Sequence, residues 1–81
     1  MEPALLKRIT TNPHIHHGNP CIKNTRTPVY IILEALALGA SREEVKADFP
    51  PLTDEDINAC LMFASLLAKE EEVLLPVHRS S

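Results

Sequence analysis

Three histidines and a cysteine gather in one short stretch: His14, His16, His17 and Cys21. Imidazole and thiolate are ligands that zinc takes. Their spacing matches no familiar zinc template, and no second cluster completes one. On a strand, His14 and His16 share a face and His17 takes the other. Solvated loop histidines are the plainer expectation; a small His/Cys metal-binding protein is kept as an alternative. A Cys21–His17 nucleophile pair lacks an orienting third member, an oxyanion site and a pocket. With two glycines in the whole chain, no glycine-rich phosphate loop is available. The carboxylates fall at helix starts and in the run Glu70–Glu72, not as an acid and base pair. The expectation is a non-enzyme that needs no cofactor and no metal.

The cations suggest a different chemistry. Net charge is −3, unevenly divided. Residues 1–40 carry Lys7, Arg8, Lys23 and Arg26 against Glu2 and Glu34, whereas residues 41–81 carry four basic and nine acidic groups. An anionic partner should therefore meet the first half, with Arg8, Lys23 and Arg26 as candidate DNA contacts. The bland alternative is scattered surface charge. Only Tyr30, Phe49 and Phe63 are aromatic, which argues against a platform for stacking bases.

These residues must be positioned by a small scaffold. The chain has 81 residues and a mass of 9.0 kDa, which is one domain. A core of this size supplies only about 3–5 kcal/mol unaided. The apolar share is 44% and the charged share 23%, ordinary for a globular domain. No signal-like segment opens the sequence and no apolar run approaches a membrane span, so a soluble cytoplasmic protein with reduced thiols is expected.

Three stretches emerge along the chain. Residues 1–27 show no helical periodicity and read as a small β-arm, with strands at Leu6–Thr11 and Cys21–Lys23 joined through turns. Asn24 suits the left-handed conformation that would end the second strand. Cys21 and Ile22 should point to opposite faces, one of them buried. Residues 28–72 read as three helices. Thr27 caps a first helix that begins at Pro28 and stops at Gly39. Ser41 and Glu44 form a capping box for a second, ending near Asp48. Thr53 and Asp56 resemble a capping box for the third and longest, roughly 54–71. Residues 73–81 form an extended tail.

The third helix carries Ile57, Cys60, Leu61, Ala64, Leu67 and Ala68 on one face. Met62, Phe63 and Leu66 add a second apolar strip. A helix apolar over more than half its circumference is central or shared. In so short a chain it cannot be wrapped on every side, so Met62, Phe63 and Leu66 are expected at a homodimer interface. The tail holds Val73, Leu74, Leu75, Val77 and Arg79 around Pro76. It reads either as an edge strand beside Leu6–Thr11 or as a segment that docks on a partner. The helix order suggests a helix-turn-helix. However, Asp54, Glu55 and Asp56 open its last helix, where they would repel phosphate.

The string Gly18-Asn19-Pro20-Cys21-Ile22-Lys23-Asn24-Thr25-Arg26-Thr27-Pro28-Val29 carries a resemblance, as do Arg8-Ile9-Thr10, Asn12-Pro13, Gly39-Ala40-Ser41, Glu44-Val45, Asp48-Phe49-Pro50, Leu52-Thr53 and Asp56-Ile57 with Ala59 and Ala64. Over about residues 8–70 the chain resembles the domain of unknown function 433 family. Asn24 stands where that family usually has glycine, and Pro51 is an extra proline. The resemblance implies a mainly α, helix-turn-helix-like three-helix bundle with a short β-arm. It also implies an antitoxin-like role beside a PIN-like ribonuclease toxin, with possible repression of its own operator DNA. PIN-like nucleases hold metal in clustered carboxylates, so Arg79 entering such a site could displace the metal. A pure interaction module without DNA binding is the competing reading. Arg26 stays open between a structural pair and a functional contact.

Overall fold

The structure, a computed structural model, describes residues 3–12, 14 and 18–70. Within them the order is α1 (Pro3–Leu6), β1 (Ile9–Thr10), β2 (Cys21–Ile22), α2 (Val29–Ala37), α3 (Arg42–Asp48) and α4 (Asp54–Glu70). The fold is mainly helical, with the small antiparallel β-arm pairing Ile9 with Ile22 and Thr10 with Cys21. Ile22, Val29, Ile32, Val45, Leu52, Ile57 and Cys60 form the core cluster.

The segment from Pro20 to Val29 closes on itself. Ile22 N–H donates to the Thr27 carbonyl at 2.9 Å, and Val29 N–H donates to the Pro20 carbonyl at 2.9 Å. Asn24 adopts φ 64°, the left-handed turn expected of it. Thr25 Oγ1 donates to the Ile22 carbonyl and accepts from Thr27 N–H. Thr27 is therefore spent on this turn. Pro28, extended at ψ 145°, takes the capping position of α2 without a side-chain bond, and the helix starts one residue later than expected. Cys21 and Ile22 are both buried, not one of them. β1 lies along one edge, and the chain entering α2 bridges Cys21 to Pro28 on the other.

Helix ends follow the expected chemistry. At the end of α2, Gly39 sits at φ 104°. Ala40 N–H donates to the Ala35 carbonyl and Gly39 N–H to the Leu36 carbonyl, the pattern of a Schellman ending. Ser41 and Glu44 form the full reciprocal capping box on α3. Thr53 and Asp56 do the same for α4: Asp56 N–H donates to Thr53 Oγ1, and Thr53 N–H donates to Asp56 Oδ2.

Asp56 has a second task. Its Oδ1 accepts from Arg8 Nη1 at 3.1 Å, across 48 residues of chain. This bond ties the β-arm to the first turn of α4, and α1 packs along the same helix. The first turns of α4 thus bury Asp56, Ile57, Ala59 and Cys60. Leu61, expected inside, is 42% exposed: the buried face is turned toward Asp56 and Ala59. The N-terminal segment differs from expectation as well. A single helical turn, α1, precedes a two-residue strand where a strand over Leu6–Thr11 was expected. Proline is well suited to the first position of a helix, as Pro3 is here.

Replacing Asp56 with alanine removes the acceptor for Thr53 N–H and the partner of Arg8 together. It should cost about 1–3 kcal/mol in urea unfolding. Arg8→Ala, at a half-exposed guanidinium, should cost less than about 1 kcal/mol.

Candidate functional site

Two features of the described surface stand apart: an apolar groove and a cationic end of the β-arm. The groove comes from a mismatch of lengths. Nine residues make α2 about 13 Å long, whereas the 17 of α4 span about 25 Å. The stripe of α4 that is buried at Ile57 and Cys60 therefore continues past its cover. There Phe63, Ala64 and Leu67 face Val29, Tyr30 and Leu33 of α2, with Asn19 and Pro20 closing one end. The cavity holds about 360 Å³ and is open to solvent. Tyr30 and Leu67 are about half exposed on it. None of its lining side chains is ionisable near neutral pH, which suits aliphatic groups of a polypeptide rather than a charged metabolite.

Of the expected interface residues, Phe63 lines this groove, while Met62 and Leu66 are half-buried on the neighbouring strip. The expected partner-binding residues Val73, Leu74, Leu75, Val77 and Arg79 lie outside the described residues. Periodicity could reveal the apolar stripe of α4. It could not reveal that Tyr30 and Leu33 would form the opposite wall, because that depends on how far α2 reaches.

The β-arm brings two candidate cations together. Lys23 N–H donates to the Arg8 carbonyl at 2.8 Å, so the two residues are neighbours at the end of the ladder. Lys23 and Arg26 are exposed, and Arg8 keeps 44% of its side chain exposed despite its bond to Asp56. The start of α4, which Arg8 meets at Asp56, is acidic, and Asp54 is paired with cations of α3. Asp54 accepts from Arg42 at 3.2 Å and Lys46 at 2.9 Å, and Arg42 also donates to Asn58. These partners hold the Asp54 carboxyl below its ordinary value and raise the Lys46 ammonium. The start of α4 is thus occupied by its own carboxylates.

The thiols are held protonated. Cys21 donates to the Asn19 carbonyl at 3.4 Å, and burial raises it. Burial pushes Cys60 up to about 12, with the charge of Asp56 adding to the effect. His14 is exposed, and its N–H donates to Asn12 Oδ1; His16 and His17 lie outside the described residues. Among the described residues, no three of His, Cys, Asp and Glu gather as a metal set. Nor is any described helix long and apolar enough to cross a membrane.

The family model described as "Protein of unknown function (DUF433)" matches residues 9–64. The uncharacterized protein y4eO of Sinorhizobium fredii (strain NBRC 101917 / NGR234) is 34% identical over 56 residues, 69% of this chain. The match covers 25% of that relative, so the chain corresponds to about a quarter of its length. The crystal structure of a DUF433 member from Anabaena variabilis ATCC 29413 superposes with a TM-score of 0.73 at 29% identity. That superposition covers 84% of this chain and 67% of the other.

A thiol raised by folding has a testable sign. Above pH 9 the unfolded chain releases the Cys60 proton while the folded chain holds it until about 12. Stability should therefore fall as pH rises through that window. Urea midpoints between pH 8 and 10 should drop less steeply in Cys60→Ala than in the parent.

Proposed function

We propose that this chain, which belongs to the family of proteins of unknown function DUF433, is a non-catalytic, antitoxin-like regulator. It binds a PIN-like ribonuclease through apolar surface and meets operator DNA with its cationic arm. The partner class rests on the family resemblance, and the open groove and exposed cations support the choice of surfaces. The observation that carries the reading is the open groove between α2 and α4. Folding leaves Tyr30, Leu33, Phe63 and Leu67 around a cavity of about 360 Å³. The tail residues Val73–Val77 and Arg79 extend the contact.

The DNA role rests on Arg8, Lys23 and Arg26, not on the helix-turn-helix order. A recognition helix presents its first turn to phosphate, and here that turn holds Asp54, Glu55 and Asp56. Those acids favour a second reading, in which the protein is an interaction module without DNA binding.

The test is binding to a PIN-like ribonuclease encoded beside the gene. Phe63→Asp should weaken the complex at least about ten-fold, as expected for a buried aromatic anchor. Unchanged affinity would remove the groove from the interaction. For DNA, titration of the upstream duplex at several salt concentrations should give a log–log slope of several units. Lys23→Ala should reduce that slope by about 0.9. Absence of binding at low salt would leave the interaction module alone.

A further inference from the structure

We propose that Arg8 and Lys23 together form a binding site for one phosphate group; this rests on the reading of the arm as an anion-binding surface and deepens it. The register of the arm pairs Ile9 with Ile22 and Thr10 with Cys21, which sets Arg8 directly opposite Lys23. The 2.8 Å bond from Lys23 N–H to the Arg8 carbonyl fixes that juxtaposition. Residues directly opposite in an antiparallel ladder share a face, and their side chains are neighbours. Ile9 and Ile22 pack on the core, so Arg8 and Lys23 belong to the other face. Thr10, exposed and two residues on from Arg8, brings a hydroxyl donor to that face.

Like charges placed opposite each other destabilise a ladder. Here they are compensated only in part. Asp56 neutralises Arg8 through one contact, Nη1 to Oδ1 at 3.1 Å. Its other oxygen accepts from Thr53 N–H, so both oxygens are engaged. Lys23 is exposed and makes no ion pair among the described residues. Nη1 is likewise the one side-chain nitrogen of Arg8 bonded among the described residues, and 44% of that side chain is exposed. The group of three therefore carries a net positive charge, with Arg8 Nε and Nη2 and Lys23 Nζ as donors still to be used.

Shape selects phosphate over carboxylate. A carboxylate has two oxygens in one plane, which a single guanidinium edge satisfies. A phosphate group directs its oxygens to the corners of a tetrahedron, so different oxygens meet the Arg8 fork and the Lys23 ammonium. An anion between the two cations also removes their mutual repulsion. Lys23 is thus unfavourable to the empty arm and favourable to the occupied one.

The probe is inorganic phosphate, added to the isolated full chain, with chloride and acetate at matched ionic strength as controls. Nitrogen-15 NMR reads the Arg8 Nε–H and the Lys23 amide. Saturable shifts of both are expected with phosphate and not with the controls. Lys23→Gln keeps the side-chain stem and the backbone bond. It should weaken phosphate binding at least about five-fold, the effect of losing one of two charges beside the ligand. In ligand-free buffer of low salt the same variant should melt at or above the parent temperature, which loss of a structural ion pair would not give. A duplex that displaces phosphate identifies a nucleic-acid backbone as the source of the group. A duplex that does not bind identifies free phosphate, which keeps the site and removes the DNA reading alone. Absence of saturable shifts in the parent would overturn the proposal. So would equal shifts with acetate, unchanged phosphate affinity in Lys23→Gln, or a lower melting temperature of that variant in ligand-free buffer.

Discussion

A core of nine buried apolar side chains cannot cover a helix of 17 residues. That mismatch underlies the surface described above. The chain is long enough to build one tight cluster around Ile32, Val45 and Ile57, and this cluster ends where α2 ends. Beyond it, α4 continues with Phe63, Ala64 and Leu67, which among the described residues meet α2 only across an open groove. At the start of α4 the Arg8–Asp56 bond joins the helix to the β-arm. The same helix buries Ala59 and Cys60 and lines the groove with Phe63 and Leu67.

Charge is divided along the same line. Asp54 and Asp56 serve the helix start, one through Arg42 and Lys46, the other through Thr53 and Arg8. This use of the acids stabilises α4 and closes its N-terminus to phosphate. Anion recognition is left to the arm, where Arg8 and Lys23 are neighbours in the ladder and Arg26 follows in the turn. Arg8 belongs to both schemes. It is bonded to Asp56 and keeps 44% of its side chain exposed.

Local chemistry made much of the fold legible in the sequence. Asn24, Gly39, Ser41 with Glu44, and Thr53 with Asp56 each carry out the backbone task that their side chains suggest, because capping and left-handed turns are decided within a few residues. The discrepancies come from long-range contacts. Thr27 looks like a cap, but α2 starts one residue later and Pro28 takes that position. Alternation buries one of Cys21 and Ile22, whereas packing buries both. The burial of Asp56, which Arg8 meets from 48 residues away, is invisible to periodicity. Half of the groove was legible for the same reason: the wall on α4 follows from spacing, and the wall on α2 follows only from packing.

The claim that the uncovered stripe is the working surface can be tested by methyl NMR, adding an adjacent PIN-like ribonuclease to the labelled chain. The expected result is that the methyls of Leu33, Ala64 and Leu67 shift while those of Ile32, Val45 and Ile57 stay in place. Shifts confined to α3, or none at all with the complex formed, would contradict it and move recognition away from the groove.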